Sequence, residues 1–296
     1  MKPPFFDYYA PQALDAALDM LRSGSPNASV LAGGQSLMPM LNMRIARPAV
    51  VVDINGISSL KHLHAEPNVL TVGALVRHAN LLTDPEVRRG WPLLAEATAM
   101  VAHPAIRNRG TVCGSMAHAD PAAEHPGVLM AHDGVVVIAG QAGRREVPAG
   151  EFFLALMTTA LKPGEMVVEV RYPRLPAGTG TAFVEVARRH GAFAIVGVAA
   201  ALTVRDGICG AARISLVGAS DKAFRARAAE AVLNGRHLGP TDSDHAFAAA
   251  AREVVAAVDP SDDVHASSSY RRHLAGVLTE RALQKALARA GGNQLG

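Results

Sequence analysis

Two short glycine-containing stretches have the residue types and spacing to do chemistry. The first reads Ala32-Gly33-Gly34-Gln35-Ser36, between a strand-like run and the start of an apolar helix. Glycines let a backbone approach a ligand closely, and unpaired N–H groups at a helix start favour an anion. Gln35 and Ser36 add side chains able to reach phosphate or sugar-alcohol oxygens. A tight strand-to-helix turn needs the same residues, so this stretch alone leaves both readings open. It is neither a G-x-G-x-x-G fingerprint nor a phosphate loop, because the glycine spacing and the Lys are absent. A Rossmann dinucleotide site is thereby disfavoured.

The second stretch reads Ile106-Arg107-Asn108-Arg109-Gly110-Thr111-Val112-Cys113-Gly114-Ser115 and continues into Met116-Ala117-His118-Ala119-Asp120-Pro121-Ala122-Ala123-Glu124. Residues 111–116 read as extended chain. Asp120 reads as a helix cap and Pro121 as the first helical residue. Arg107 and Arg109 are either phosphate partners or solvated loop charges, and the adjacent glycines favour the first role for Arg107. His103, before Pro104, reads as a loop residue near the site. Two such loops from separate lobes suit a ligand with two linked phosphates, held in the cleft between them. His118, Asp120, Glu124 and His125 could be drawn as a metal cluster, but a capping Asp120 and a turn between the histidines argue against it.

Composition bounds the remaining choices. The chain has 296 residues, 49% hydrophobic and 19% charged, which is ample material for a core and excludes general disorder. Aromatic residues are only 4%, so Ala, Val, Leu and Ile must build that core, and Met38, Met40 and Met43 read as filler. The net charge of +3 contains no run of five like charges, which speaks against a nucleic-acid partner. Cys113 and Cys209 are too few for a disulfide framework, a four-Cys zinc site or a four-Cys iron–sulfur cluster. The first residues lack the apolar core of a signal peptide, and the apolar run 192–204 is about 13 residues, too short for a transmembrane segment. A cytoplasmic protein is expected.

The elements that must position the loops follow from periodicity. Residues 11–24 read as a helix with Leu14, Ala17, Leu18 and Leu21 on one face and Gly24 as its stop. Strands are expected at 28–31 and 49–54, making residues 1–55 a small α/β lobe. A second lobe, 56–175, alternates similarly, with strands at 70–74, 135–139 and 166–172 and helices at 93–102 and from Pro121. Residues 173–180 hold two Pro and two Gly and read as a linker. Beyond it, strands at 181–187, 194–204 and 212–217 precede helices at 224–233, 245–258 and 270–289. That order argues an α+β domain over 181–290, with helices on one face of a sheet.

The two glycine stretches, with Ile106-Arg107-Asn108 before the second and Ala117-His118-Ala119-Asp120-Pro121-Ala122 after it, resemble the FAD-binding medium subunit of molybdenum hydroxylases. The likeness is to the carbon monoxide dehydrogenase and nicotine dehydrogenase type. Val52-Asp53-Ile54-Asn55, Val72-Gly73-Ala74, Leu161-Lys162-Pro163-Gly164-Glu165 and Ser269-Tyr270-Arg271-Arg272-His273-Leu274 match in order. The resemblance implies a two-lobed FAD-binding domain of the vanillyl-alcohol-oxidase and p-cresol-methylhydroxylase type, followed by a C-terminal domain of strands then helices.

It also implies site residues. Ala32, Gly33, Gly34, Gln35 and Ser36, with Thr111, Val112, Cys113, Gly114 and Ser115, would hold the diphosphate and ribityl chain. Glu124 falls where the family has an acidic residue near the sugar-alcohol region, and Leu161 and Met166 match apolar positions near the ring or adenine. Phe193, in Arg188-Arg189-His190-Gly191-Ala192-Phe193, would supply an aromatic ring to the isoalloxazine; Ala102 and Arg189 complete the set. Ala192 stands where the family commonly has Asp, and Cys113, where it has Gly, reads as a small buried filler. Arg271, Arg272 and His273 read as one polar helix face.

The function implied is electron transfer by non-covalently bound FAD, with no acid–base triad. Electrons would come from a [2Fe–2S] subunit that drains a large molybdopterin subunit, in a dimer of heterotrimers, and would pass to an external acceptor. A stand-alone FAD-dependent oxidase of the same fold class is the alternative; a flavin-free scaffold is disfavoured by the intact glycine loops.

Overall fold

The computed structural model describes residues 2–24, 26–239 and 242–290. In the first lobe, strand Val50–Asp53 lies between Asp7–Tyr9 and Ala28–Leu31 and pairs parallel with both. Helix Leu14–Ser23 turns Ala17 and Leu21 into the core, packs Leu14 and Leu18 beside them, and stops at Gly24. Parallel pairing sets Leu31 opposite Asp53, so the segments following both strands emerge side by side. This brings residues 32–36 and 54–56 together, with the short helix Leu37–Asn42 continuing the first stretch. Met38 and Met43 on and after that helix are exposed rather than core filler, and Met40 is only partly buried.

The second lobe departs from simple alternation. Its five strands run Leu63–Ala65, Val69–Gly73, Met166–Pro173, Val135–Gly140 and Gly143–Pro148 across one sheet, and every pairing is antiparallel. Helix Val112–His118 packs against it, while Pro92–Met100 and Glu124–Ala131 pack on each other. One apolar core runs through both lobes, from Ala17 and Val52 to Val136 and Val170.

Residues 112–116 are not extended. Thr111 caps the Val112–His118 helix, its Oγ1 accepting the Gly114 N–H at 3.1 Å. The β-branched Thr and Val imitate a strand in the sequence, but the cap and the burial of Val112, Cys113 and Met116 select the helix. Asp120 is likewise not a helix cap. Its Oδ1 accepts the Ala122 N–H at 2.9 Å within a turn, and the next helix starts at Glu124.

The third unit holds strands Thr179–Ala187, Ala194–Arg205, Ile208–Val217 and Phe224–Arg225 in antiparallel order. Residues Phe224 and Arg225 are thus strand, and the helix expected there is Arg227–Leu233. Helix Asp242–Ala257 packs against Ser268–Arg289, which covers one face of the sheet, while Glu124–Ala131 of the second lobe contacts the sheet as well. Leu274, Leu278, Ala282 and Leu283 join Val196, Val198 and Leu202 in a separate core. Between the second and third units, Pro176, Ala177 and Gly178 are exposed. Among the described residues no helix is long and apolar enough to cross a membrane.

Candidate functional site

A cleft of about 590 Å³ lies where the two glycine stretches face each other. Ala32, Gly33, Gly34, Gln35 and Ser36 line one wall; Thr111, Cys113, Gly114 and Ser115 line the other. Ala102, Glu124, Leu161, Met166 and Phe193 also line it, so the structure gathers fourteen of the sixteen residues named from the sequence. Val112 and Arg189 are the exceptions. Helical winding turns Val112 into the core, where it is fully buried, and Arg189 is exposed to solvent. Phe193 is 63% exposed and sits on the lining beside Gly191 and Ala192.

The N–H groups of Gly33, Gly34, Gln35 and Ser36 donate to no backbone or side-chain acceptor among the described residues. Gly34 holds φ at +71°, a conformation that a Cβ strains, which keeps this row of donors in a tight turn. Gln35 does not reach outward; its Nε2 donates to the Gly33 carbonyl at 2.9 Å. Gly33 also serves a second purpose. A Cβ there would stand 2.8 Å from Gly110 Cα and closer still to the Arg109 carbonyl oxygen, so Gly33 lets one loop rest on the other. The Gly114 N–H is spent on the Thr111 cap rather than offered to the cleft.

Charge in the cleft is arranged by burial. Glu124 is 5% exposed, and burial, helped by the charges of Glu185 and Asp120, pushes its carboxyl up to about 8. Burial likewise raises Glu185 to about 7. Cys113 is buried, donates to the Val72 carbonyl at 3.5 Å, and has its thiol pushed far up by burial, which makes it an inert filler. Arg107 is absent from the cleft lining, and its Nη1 donates to the carbonyls of Val101 at 2.7 Å and Ala102 at 2.8 Å, stapling its own loop.

Several lining residues had no signal in the sequence. His78, on the short helix His78–Thr83, lines the cleft and meets His125 through Nδ1···Nε2 at 3.1 Å. Burial holds His78 down near 4, assisted by the Arg107 and Arg77 charges, and lowers His125 as well, so the pair is neutral at pH 7. His125 Nε2 is engaged by His78, and among the described residues no group of three His, Cys, Asp or Glu side chains is placed to hold a metal ion. Arg271 is not part of an open polar face either. It is 7% exposed, and its Nη1 donates to the carbonyls of Ile195 at 2.5 Å and Gly218 at 3.1 Å, two residues beyond Phe193 and at the end of the neighbouring strand.

Known proteins match nearly the whole chain. Residues 4–175 match the family described as the FAD binding domain in molybdopterin dehydrogenase, and residues 181–286 match the CO dehydrogenase flavoprotein C-terminal domain. The chain is 44% identical to the 6-hydroxypseudooxynicotine dehydrogenase complex subunit alpha of Paenarthrobacter nicotinovorans, covering 98% of this chain and 97% of that relative. It is 36% identical to the carbon monoxide dehydrogenase medium chain of Hydrogenophaga pseudoflava, over 98% and 99% of the two chains. Among solved structures, a chain of the carbon monoxide dehydrogenase from Hydrogenophaga pseudoflava superposes with a TM-score of 0.95 at 38% identity, covering 98% of this chain and 100% of that one. With a two-lobed cleft, both glycine loops and a C-terminal strand-and-helix domain matched end to end, the chain belongs to the FAD-binding medium subunits of molybdenum hydroxylases, an oxidoreductase family.

Proposed function

We propose that this chain is the electron-transfer flavoprotein of a multi-subunit molybdenum hydroxylase and binds FAD non-covalently in the cleft between its glycine loops. The observation that carries the reading is the row of N–H groups from Gly33 to Ser36, without acceptors and turned around a positive-φ Gly34, facing a second glycine loop across about 590 Å³. Such a row suits the diphosphate of a dinucleotide. Ala32 to Ser36 and Thr111 to Ser115, apart from the buried Val112, would hold the diphosphate and ribityl chain. Glu124 would meet the sugar-alcohol hydroxyls, Leu161 and Met166 would flank the apolar ends, and Phe193 would cover the ring. When bound, FAD supplies the redox chemistry, exchanging electrons with a partner's cluster and an outside acceptor.

The chain's own contribution is to bind, orient and exclude water. Burial keeps Glu124 protonated at neutral pH, so it can donate as well as accept a hydrogen bond there. The neutral His78–His125 pair adds no charge against the ligand. Cys113 and Cys209, both free and buried, lie in separate cores and cannot supply the four thiolates of a [2Fe–2S] cluster; the family resemblance assigns the cluster and the molybdopterin cofactor to a small and a large partner, in a dimer of heterotrimers. A cytoplasmic setting is part of the same proposal, and free thiols agree with it.

The chain is isolated with whatever co-purifies, its visible spectrum is recorded, and it is precipitated with acid. A yellow supernatant containing the adenine dinucleotide, with a small iron–sulfur chain and a large molybdenum chain alongside, supports the reading. A yellow pellet, or steady turnover of an organic substrate by this chain alone, overturns it in favour of a self-contained oxidase. A colourless protein overturns it as well.

A further inference from the structure

The two lobes that face the cleft are joined behind it by a chain of side chains that never touches it. Asn55 follows the Val50–Asp53 strand in the first lobe; Arg77 precedes the His78–Thr83 helix in the second. Arg77 Nη2 donates to Asn55 Oδ1 at 2.6 Å, and Arg77 Nη1 donates to the Arg109 carbonyl at 2.6 Å. Asn55 Nδ2 donates to the Ala32 carbonyl at 2.8 Å and to Asp53 Oδ1 at 2.6 Å. Asp53 Oδ1 also accepts the Asn55 N–H at 2.9 Å, and its other oxygen accepts the Tyr8 hydroxyl at 2.6 Å.

Every polar atom of the Asn55 amide is thus used, and its orientation is fixed. Flipped, its NH₂ would face a guanidinium and its oxygen would face a carbonyl and a carboxylate. The two carbonyls gripped are those of Ala32 and Arg109, the residues immediately before Gly33 and Gly110. These glycines are where the loops touch, since Gly33 has no room for a Cβ against Arg109 and Gly110. Arg77 also forms a bridge with Thr111, and the next residue, His78, donates its N–H to the Gly110 carbonyl at 3.1 Å.

We infer that Asn55 and Arg77 are positioning residues: a clasp between the lobes that sets the separation and angle of the two glycine loops for the diphosphate. The inference rests on the FAD reading above. Neither residue lines the cleft, so each acts through a backbone carbonyl of a loop that does. Arginine is required because only its planar fork offers two donors far enough apart to hold Asn55 and the Arg109 carbonyl together.

The test uses the full chain in the complex it forms in its host, freed of flavin and titrated with FAD, with melting followed in parallel. Arg77→Met and Asn55→Ala should each weaken FAD binding about tenfold or more, the size expected for losing a charge-assisted hydrogen bond. The double variant should be little worse than either single one, because both break the same linkage. Arg77→Lys, which keeps one donor, should bind with intermediate affinity. A role in stability alone would lower the melting temperature and leave the Kd of the folded protein unchanged, which overturns the clasp. Wild-type affinity in Arg77→Lys overturns it even where Arg77→Met fails to fold. If the unaltered chain takes up no FAD, the functional reading falls first; if it binds FAD and the variants match it, the clasp alone falls.

Discussion

Gly33→Ala adds a single methyl group where the two glycine loops meet, and its consequence can be worked from the coordinates. Gly33 is not in the left-handed region, so the backbone tolerates alanine and the cost is steric. The new Cβ would lie 2.8 Å from Gly110 Cα, with the Arg109 carbonyl nearer still. Ordinary contact begins at about 3.4 Å, so the loops must part by at least about 0.6 Å. Both neighbours are backbone, one of them the carbonyl that Arg77 grips, so neither can rotate away. Forced overpacking of this kind costs about 1–3 kcal/mol, which lowers Tm by a few degrees in a chain this long. The wider gap should also weaken FAD binding. The matched control is Gly150→Ala in helix Ala149–Phe152, where a Cβ would meet nothing within 4 Å and should be neutral or slightly stabilising. Differential scanning calorimetry and flavin occupancy of the two variants decide the matter. Equal melting temperatures and full flavin in both would refute the contact between the loops.

Three further outcomes are expected. Glu124 has its folded carboxyl raised to about 8 from the ordinary range near 4.5, so between those pH values the folded protein holds a proton that the unfolded chain releases. The contribution of Glu124 to the stability of the flavin-free protein should therefore fall as pH rises from about 5 to 8, while the buried His78 and His125, held below their ordinary value, contribute in the opposite sense below about 6.5. Glu124→Gln should flatten that slope and raise Tm at pH 8 more than at pH 5; parallel curves would show that Glu124 is not buried as described. Glu230→Ala removes one of the two carboxylates that pair with Arg225 (the Glu230 and Arg225 side chains are both 7% exposed) and strips the Ile214 N–H of its acceptor at 2.8 Å; with Asp133 still on the guanidinium, urea denaturation should register a loss of about 2 kcal/mol. Limited proteolysis with a non-specific protease should cut first at residues 176–178, which are exposed between two well-packed sheets. First cuts within residues 1–55 would show that the boundary between the units lies elsewhere.

Much of this protein is determined by its sequence alone, and the reason is local. The apolar run 28–31, the helix stopped by Gly24, and the Gly33-Gly34 turn each depend on neighbours a few residues away, which periodicity and glycine chemistry report directly. The motifs at 32–36 and 106–124 suffice for the family, because the same backbone turns recur wherever the same ligand is held. What the tertiary structure alone decided involves partners far apart in the chain. Strand Gly143–Pro148 carries Arg144, Arg145 and Glu146 in succession, with no apolar run to announce it; it is a strand because it lies at the sheet's edge and pairs with Val135–Gly140. Residues 112–116 became a helix through the Thr111 cap and a buried face, against their extended appearance. Arg271 looks like a surface arginine until the carbonyls of Ile195 and Gly218 arrive from 76 and 53 residues away. The same holds for Asn55 and Arg77, whose acceptors include main-chain carbonyls. A carbonyl has no side-chain identity, so no pattern of residue types could have announced which ones these two side chains would find.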